Sequence, residues 1–300
     1  MLTALTTAIL PIFAVMAVGF AFARAGLADE LAPAGINRFV LLIASPALLF
    51  SILSRAPIDA IDWGALGTYV AGEATVYLTG FLLARFLFRR GAVEAVLLGM
   101  AAAFVNHILF VLPVAQTLYG APVATPIGAI VAFDSLVTFS GTVILLEAMT
   151  GRARRVRAVV ARIALNPMLI GPALGIAVNL AGWTPHPGVM RFAGFTGAAT
   201  APAALFALGV TLSFSDLRRI GAASLSIAAL AVAAHPALTW TFGGLRGPSD
   251  WQALMVLTAA GPCGAMPYAL ATFYGAPPRS IAKAIVVSSL ISVFTLAALA

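Results

Sequence analysis

What constrains this chain most is the spacing of its apolar runs. Ten stretches, each close to the roughly 20 residues that a helix needs to cross a bilayer, follow one another with only short polar connections. They fall at 4–23, 36–54, 64–84, 93–119 and 124–147, and again at 159–181, 189–212, 220–242, 252–274 and 279–299. Charged residues make up 9% of the chain and hydrophobic ones 62%, against about 25% and 45–50% in a soluble domain. There is too little polar surface to cover the apolar remainder in water. The reading is an all-α membrane protein of ten transmembrane helices, with no separate soluble domain.

Charge placement sets the orientation. Of 17 Lys and Arg residues, all but Arg55, Arg191 and Arg246 fall in the loops or helix ends of one side. Cytoplasmic loops carry the Lys/Arg excess, so both termini are expected on the outer face of an inner (plasma) membrane. The basic 151–162 connection is then cytoplasmic. The net charge of +7 is thus a matter of topology, and no nucleic-acid partner is expected. The single cysteine, Cys263, excludes an intrachain disulfide, and no Cys/His spacing suggests a metal centre. No Lys or Arg precedes the first apolar run, which exceeds a signal-peptide core, so it reads as the first span.

The two halves echo each other. Pro11, Ala25-Gly26 and Pro46 recur as Pro167, Ala181-Gly182 and Pro202, each 156 residues on. Pro113 recurs as Pro267 after 154 residues, and Tyr119-Gly-Ala-Pro122 recurs as Tyr274-Gly-Ala-Pro277 after 155. The copies, 1–150 and 151–300, hold five spans each. Five is odd, so the second copy enters the membrane from the opposite face. Inverted repeats of this kind belong to secondary transporters, where one part rocks against another around a midplane site.

The fourth and ninth spans occupy corresponding positions and carry the most helix breakers. The fourth contains Asn106, His107 and Pro113; the ninth contains Gly261, Pro262, Gly264 and Pro267. Proline removes one helix hydrogen bond and collides with the preceding turn. Irregular backbone survives at membrane depth only inside protein or beside a water-filled cavity. Both spans are therefore expected to break and to cross, each exposing a half-helix N-terminus whose N–H groups and dipole attract an anion. Pro11, Pro46, Pro167 and Pro202 read as packed kinks.

Ionisable groups at bilayer depth are costly and usually face a cavity or a partner. Glu73 in the third span and Asp134 in the fifth are the candidates for proton coupling, with a static hydrogen-bonded acid as the alternative reading of each. His107 is a candidate for contact with substrate or proton, His235 for a structural role, and Glu147 for a solvated helix end. Asn106, Gln116, Ser45 and Thr200 could bind a carboxylate or a cation.

The pattern ILPIFAVMAVGFAFARAGL, the run Asn37-Arg38-Phe39-Val40 followed by Ser45-Pro46-Ala47-Leu48-Leu49-Phe50, the Asn106…Pro113 spacing and Pro262-Cys-Gly264-Ala-Met-Pro267 together resemble the auxin efflux carrier family, whose bacterial members include malonate carriers. The resemblance covers the whole chain. It implies two inverted five-helix repeats, crossed where helices four and nine break, with an organic anion at the crossing, in a fold similar to that of bile acid:sodium symporters. The chain departs from many bacterial relatives in carrying His107, Ile108 and Val111 where they carry glycines after the fourth-span Asn, so the identity of the substrate does not transfer.

Taken together, these features give a non-enzymatic carrier of a small organic anion, auxin- or malonate-like, acting as a monomer or homodimer without a bound cofactor. The expected substrate-binding set is Asn106, His107, Pro113, Pro262, Gly264, Pro267 and Tyr268, with His107 and Tyr268 shaping the pocket. A sodium- or proton-coupled symporter or antiporter is the alternative within the same class. An intramembrane protease using His107 or His235 is the distant one, and no Gly-x-Ser-x-Gly elbow supports it.

Overall fold

The computed structural model describes residues 10–56, 58–120, 123–150, 164–214 and 220–299. Residues 4–9 of the first expected span and 159–163 of the sixth lie outside the described residues, as does the basic run 152–157. The described architecture is all-helical. In chain order it comprises α1 (Leu10–Arg24), α2 (Ala32–Leu53), α3 (Trp63–Leu87), α4 (Ala92–Ala103), α5 (Leu112–Tyr119) and α6 (Thr125–Thr150). The second half comprises α7 (Pro167–Leu180), α8 (Pro187–Ser213), α9 (Ala222–Arg246), α10 (Gln252–Ala259), α11 (Met266–Phe273) and α12 (Arg279–Leu299). Among the described residues, six helices are long and apolar enough to cross a membrane: α2, α3, α6, α8, α9 and α12. Shorter apolar helices accompany them, and the outer surface is greasy. Phe195 is 83% exposed and Phe294 75%, a finish suited to lipid rather than water.

Prolines shape three of the spans by a common device. A five-residue π turn ends two residues before a proline at Val40–Ala44 (Pro46), His107–Val111 (Pro113) and Leu230–Ala234 (Pro236). A proline ring collides with the carbonyl four residues back and offers no N–H. Widening the preceding turn displaces that carbonyl while keeping the chain helical. In each case the N–H just before the proline donates to the carbonyl five residues back: Ser45 to Val40, Leu112 to His107, His235 to Leu230. Two further π turns have no proline after them: Leu83–Leu87 at the end of α3, and Asp134–Phe139 in the middle of α6, where the Ser140 hydroxyl donates to the Ser135 carbonyl at 2.8 Å.

Helix association in lipid rests on close packing around small residues, because burial from lipid yields no hydrophobic gain. Two contacts illustrate it. Gly19 of α1 meets the backbone of Phe206 on α8, and Gly175 of α7 meets the backbone of Phe50 on α2. Gly19 and Gly175 are 156 residues apart, and so are Phe50 and Phe206. The same contact is therefore made twice, with donor and acceptor helices exchanged between halves of the chain. A Cβ at either glycine would sit within clash distance of main-chain atoms that have nowhere to go.

Polar ties hold the two ends. After α2, Asp62 caps α3 by accepting from the Gly64 and Ala65 amides, each at 3.0 Å. It also receives Arg246 of α9 at 2.9 Å and the Ser249 hydroxyl at 2.7 Å. At the other end of α2, Glu30 lies 3.9 Å from Arg279 at the start of α12.

Gly19→Val and Gly175→Val are each expected to destabilise the detergent-solubilised protein by about 1–3 kcal/mol, the range for overpacking. Gly128→Ala, where a Cβ meets nothing within 4 Å, leaves the melting temperature in place. A second expectation concerns acid. The Ala65 amide, the Ser249 hydroxyl and the Arg246 guanidinium hold the Asp62 carboxyl below the ordinary carboxylate range. Its contribution is then complete above the unfolded-state value of about 4 and is lost as pH falls through the lower folded-state value. Asp62→Ala should cost about 1 kcal/mol at neutral pH through the lost cap, and the gap to wild type should close on acidification in pH-resolved thermal melts.

Candidate functional site

The stretch expected as the fourth span is interrupted between α4 and the π turn that leads into α5, and the one expected as the ninth between α10 and α11. At the first break Phe104 is extended (φ −75°, ψ 104°) and Asn106 is non-helical (φ −82°, ψ 73°). The two breaks then pair with each other. The Asn106 amide donates to the Pro262 carbonyl at 2.9 Å, and the Gly264 amide donates to the Phe104 carbonyl at 2.7 Å. Val105 and Cys263 face each other as an antiparallel bridge, and the Cys263 amide donates to the Ser288 hydroxyl of α12 at 3.1 Å. Backbone groups released from helix are thus re-paired where no water can serve them. Glycine permits the approach: a Cβ on Gly264 would press on the Phe104 ring and carbonyl, and one on Gly261 on the Val105 and Val111 side chains.

Beside this crossing lies a cavity of about 180 Å³. On the crossing side its wall is Asn106, His107, Gly264, Ala265 and Met266, which are the residues leading into α5 and α11. The opposite wall comes from α2, α6 and α8 and includes Ser45, Asp134, Ser135 and Thr200. The remaining lining is apolar. The buried Thr200 hydroxyl has no hydrogen-bond partner, and the Asp134 carboxylate has none apart from the neighbouring Glu73 carboxyl and His107. Among the described residues no lysine or arginine lines the cavity. One water needs at least about 10–15 Å³ on this measure, so the space holds about a dozen waters or a small organic molecule.

Behind the cavity is a buried polar cluster. His107 Nε2 lies 3.0 Å from the Tyr69 hydroxyl and 3.4 Å from Asp134 Oδ2. The ring of His235 lies tilted against that of Tyr69, their centres 4.8 Å apart. The Glu73 carboxyl, 2% exposed, adjoins Asp134 and Thr138. Glu73 faces away from the first cavity and lines a second, of about 560 Å³, together with Tyr77, Thr138 and Thr142.

The residues singled out in the sequence are distributed as follows. Asn106, His107, Gly264 and Asp134 line the first cavity, as do Ser45 and Thr200. Pro262 stands at the ladder and contributes its carbonyl. Pro267 is buried at the start of α11. Pro113 starts α5, and its side chain lies outside the described residues. Tyr268 does not line the cavity; its fully buried hydroxyl donates to the Ala207 carbonyl at 2.9 Å and meets Thr211, tying α11 to α8. One helical position beyond Pro267 directs it to the helix partner instead of the space. Gln116 is exposed on α5. Glu147 is not solvated: it is 8% exposed and accepts from the Tyr274 hydroxyl at 2.9 Å. Ser135, Ala198 and Ala204 line the cavity without any sequence signal; their role comes from which helices meet there.

Cys263, the chain's single cysteine, is 1% exposed at the crossing. A maleimide reagent should leave the folded, detergent-solubilised protein unmodified and label it to completion after unfolding in dodecyl sulfate, read by intact mass. Rapid labelling of folded protein would contradict the paired crossing.

A family model described as "Membrane transport protein" matches residues 4–300. A protein of Rhizobium meliloti (strain 1021) named "Putative malonate transporter" is 29% identical over 303 residues, spanning 98% of this chain and 94% of its own length. The paired helix breaks, the lipid-facing exterior and the match across almost every residue agree: the chain belongs to the membrane transport protein family, that of the auxin efflux carriers.

Proposed function

We propose that the chain is a secondary carrier that moves a small organic anion, a carboxylate of the malonate or auxin type, across the inner membrane by alternating access. The observation that carries this reading is the crossing itself. Two interrupted spans pair at their breaks, and the starts of their second segments border one cavity. The first turn of a helix has free N–H groups and the positive end of the dipole, which together attract a negative guest. Asn106, Ser45, Ser135 and the unpartnered Thr200 hydroxyl add polar groups around the same space.

Further support comes from symmetry. Reading 1–150 and 151–300 as inverted five-span repeats explains why α1 lies on α8 while α7 lies on α2. It also explains why the glycine contacts repeat at the same offset. In this reading the ten spans place both termini outside, Asp62 and Arg246 at the outer surface, and Glu30 and Arg279 at the inner one. The relative named as a malonate transporter favours a short dicarboxylate. A negative-inside membrane expels anions with about 2.3 kcal/mol per charge per 100 mV. Export therefore runs without a coupling ion, whereas uptake requires protons or sodium.

Asn106→Ala tests the site. In proteoliposomes, counterflow of radiolabelled malonate should fall at least about tenfold, as when a polar contact of about 1.4 kcal/mol is lost. Elution volume and melting temperature should remain those of wild type. Undiminished counterflow would remove Asn106 from the binding site.

A further inference from the structure

An anion cavity whose described lining holds an acid and a histidine but no lysine or arginine repels its guest for as long as that acid is ionised. From this we infer that Asp134 and Glu73 form one proton-binding site joining the two cavities, so that the carrier moves its anion together with a proton. The inference rests on the anion-carrier reading above and names its coupling ion.

The geometry supplies the parts. Asp134 is 1% exposed and borders the substrate cavity, its Oδ2 3.4 Å from His107 Nε2 and its carboxyl against that of Glu73. A carboxylate guest in a space of about 180 Å³ comes close to that side chain. Ionised, Asp134 repels the guest; protonated, it offers an O–H donor in place of the repulsion. The bound anion and the bound proton therefore favour each other, and by linkage the preference is reciprocal.

Glu73 provides the second half of the site. It adjoins Asp134 from α3, its Oε1 is unpartnered, and it borders the other cavity. That cavity is a largely apolar groove between α3, α4 and α6, open on the side of the exposed Leu78, Val137 and Leu145, and it extends to Ala92, at the start of α4, and Met149, at the end of α6. These ends lie on the face that collects most of the chain's arginines. A proton that arrives with the anion on Asp134 passes to the Glu73 carboxylate, and water entering the groove from its cytoplasmic end accepts it from there. Each carboxyl gives up one O–H and regains it in the next cycle.

The titratable groups facing the pair are Tyr69 and Tyr77 on α3, His107 before α5 and His235 on α9. No lysine or arginine among the described residues lines either cavity, so no fixed cation balances two ionised carboxylates there. His107 acts as a positioning residue, held between the Tyr69 hydroxyl and Asp134.

The test uses the full-length protein in proteoliposomes with the membrane potential clamped at zero by potassium and valinomycin. Malonate counterflow at equal pH measures the carrier. Accumulation under an outside-acid gradient measures coupling. Wild type should accumulate malonate about tenfold per pH unit for one coupled proton, and Glu73→Gln should lower the ratio of accumulation to counterflow toward unity. Intact counterflow with no response to the pH gradient, or accumulation driven by sodium alone, overturns the proton site and leaves the anion reading standing.

Infrared spectroscopy of the detergent-solubilised protein provides a readout independent of flux. The wild type should show a protonated-carboxyl C=O stretch that is lost in Glu73→Gln or in Asp134→Asn and grows when malonate is added. A wild-type spectrum with no such band contributed by these two residues overturns the inference even if no malonate transport is found.

Discussion

The structure depends on two hydrogen bonds at the crossing, Asn106 N–H to Pro262 and Gly264 N–H to Phe104. A helix broken in lipid leaves donors and acceptors that water cannot reach, each costing several kcal/mol. One break alone would be prohibitive. Two breaks placed face to face cancel much of each other's deficit through a short antiparallel ladder, and Ser288 of α12 takes the Cys263 amide that remains. The irregular backbone that creates a site for a guest is therefore affordable only because both halves of the chain supply one break apiece.

The rest of the bundle serves to keep these breaks in register. Gly19 and Gly175 let α1 and α7 reach the main chain of α8 and α2, and Gly171 does the same against Pro46. These approaches link the halves, since α1 leans on α8 and α7 leans on α2. The π turns before Pro46 and Pro236 allow their spans to bend without being severed, and the one before Pro113 carries the chain from the break into α5. The turn at Asp134 widens α6 without a proline, at the point where the helix passes between the two cavities.

Charge is distributed economically. The Lys and Arg residues are concentrated in connections and helix ends, while the interior holds carboxyls, histidines and hydroxyls in contact with one another. Under the proposed function, attraction for an anion comes from helix starts and neutral donors, which bind without the long-range pull of a fixed cation. Weak, short-range attraction suits a carrier, which has to release what it holds.

Much of this was legible in the sequence, for local reasons. Bilayer thickness sets the length of an apolar run, and proline and glycine act on the few residues beside them, so the spans and the interruptions near Asn106 and Pro262 could be read from composition and order. Membership of the family followed from the same motifs. What the sequence left undetermined was which distant side chains share a space. Tyr268 lies next to Pro267 yet turns to Ala207 and Thr211, whereas Ser135 and Thr200, far apart in the chain, border one cavity. Glu147, near a helix end, is buried against Tyr274. Glu73 and Asp134 were visible as acids in apolar spans, but only the packing of α3 on α6 made them neighbours and set a different cavity against each. Local chemistry dictates where a chain can bend; which polar groups then meet is decided by helix pairing across the whole molecule, because that pairing is a sum of many small contacts that no single stretch of sequence contains.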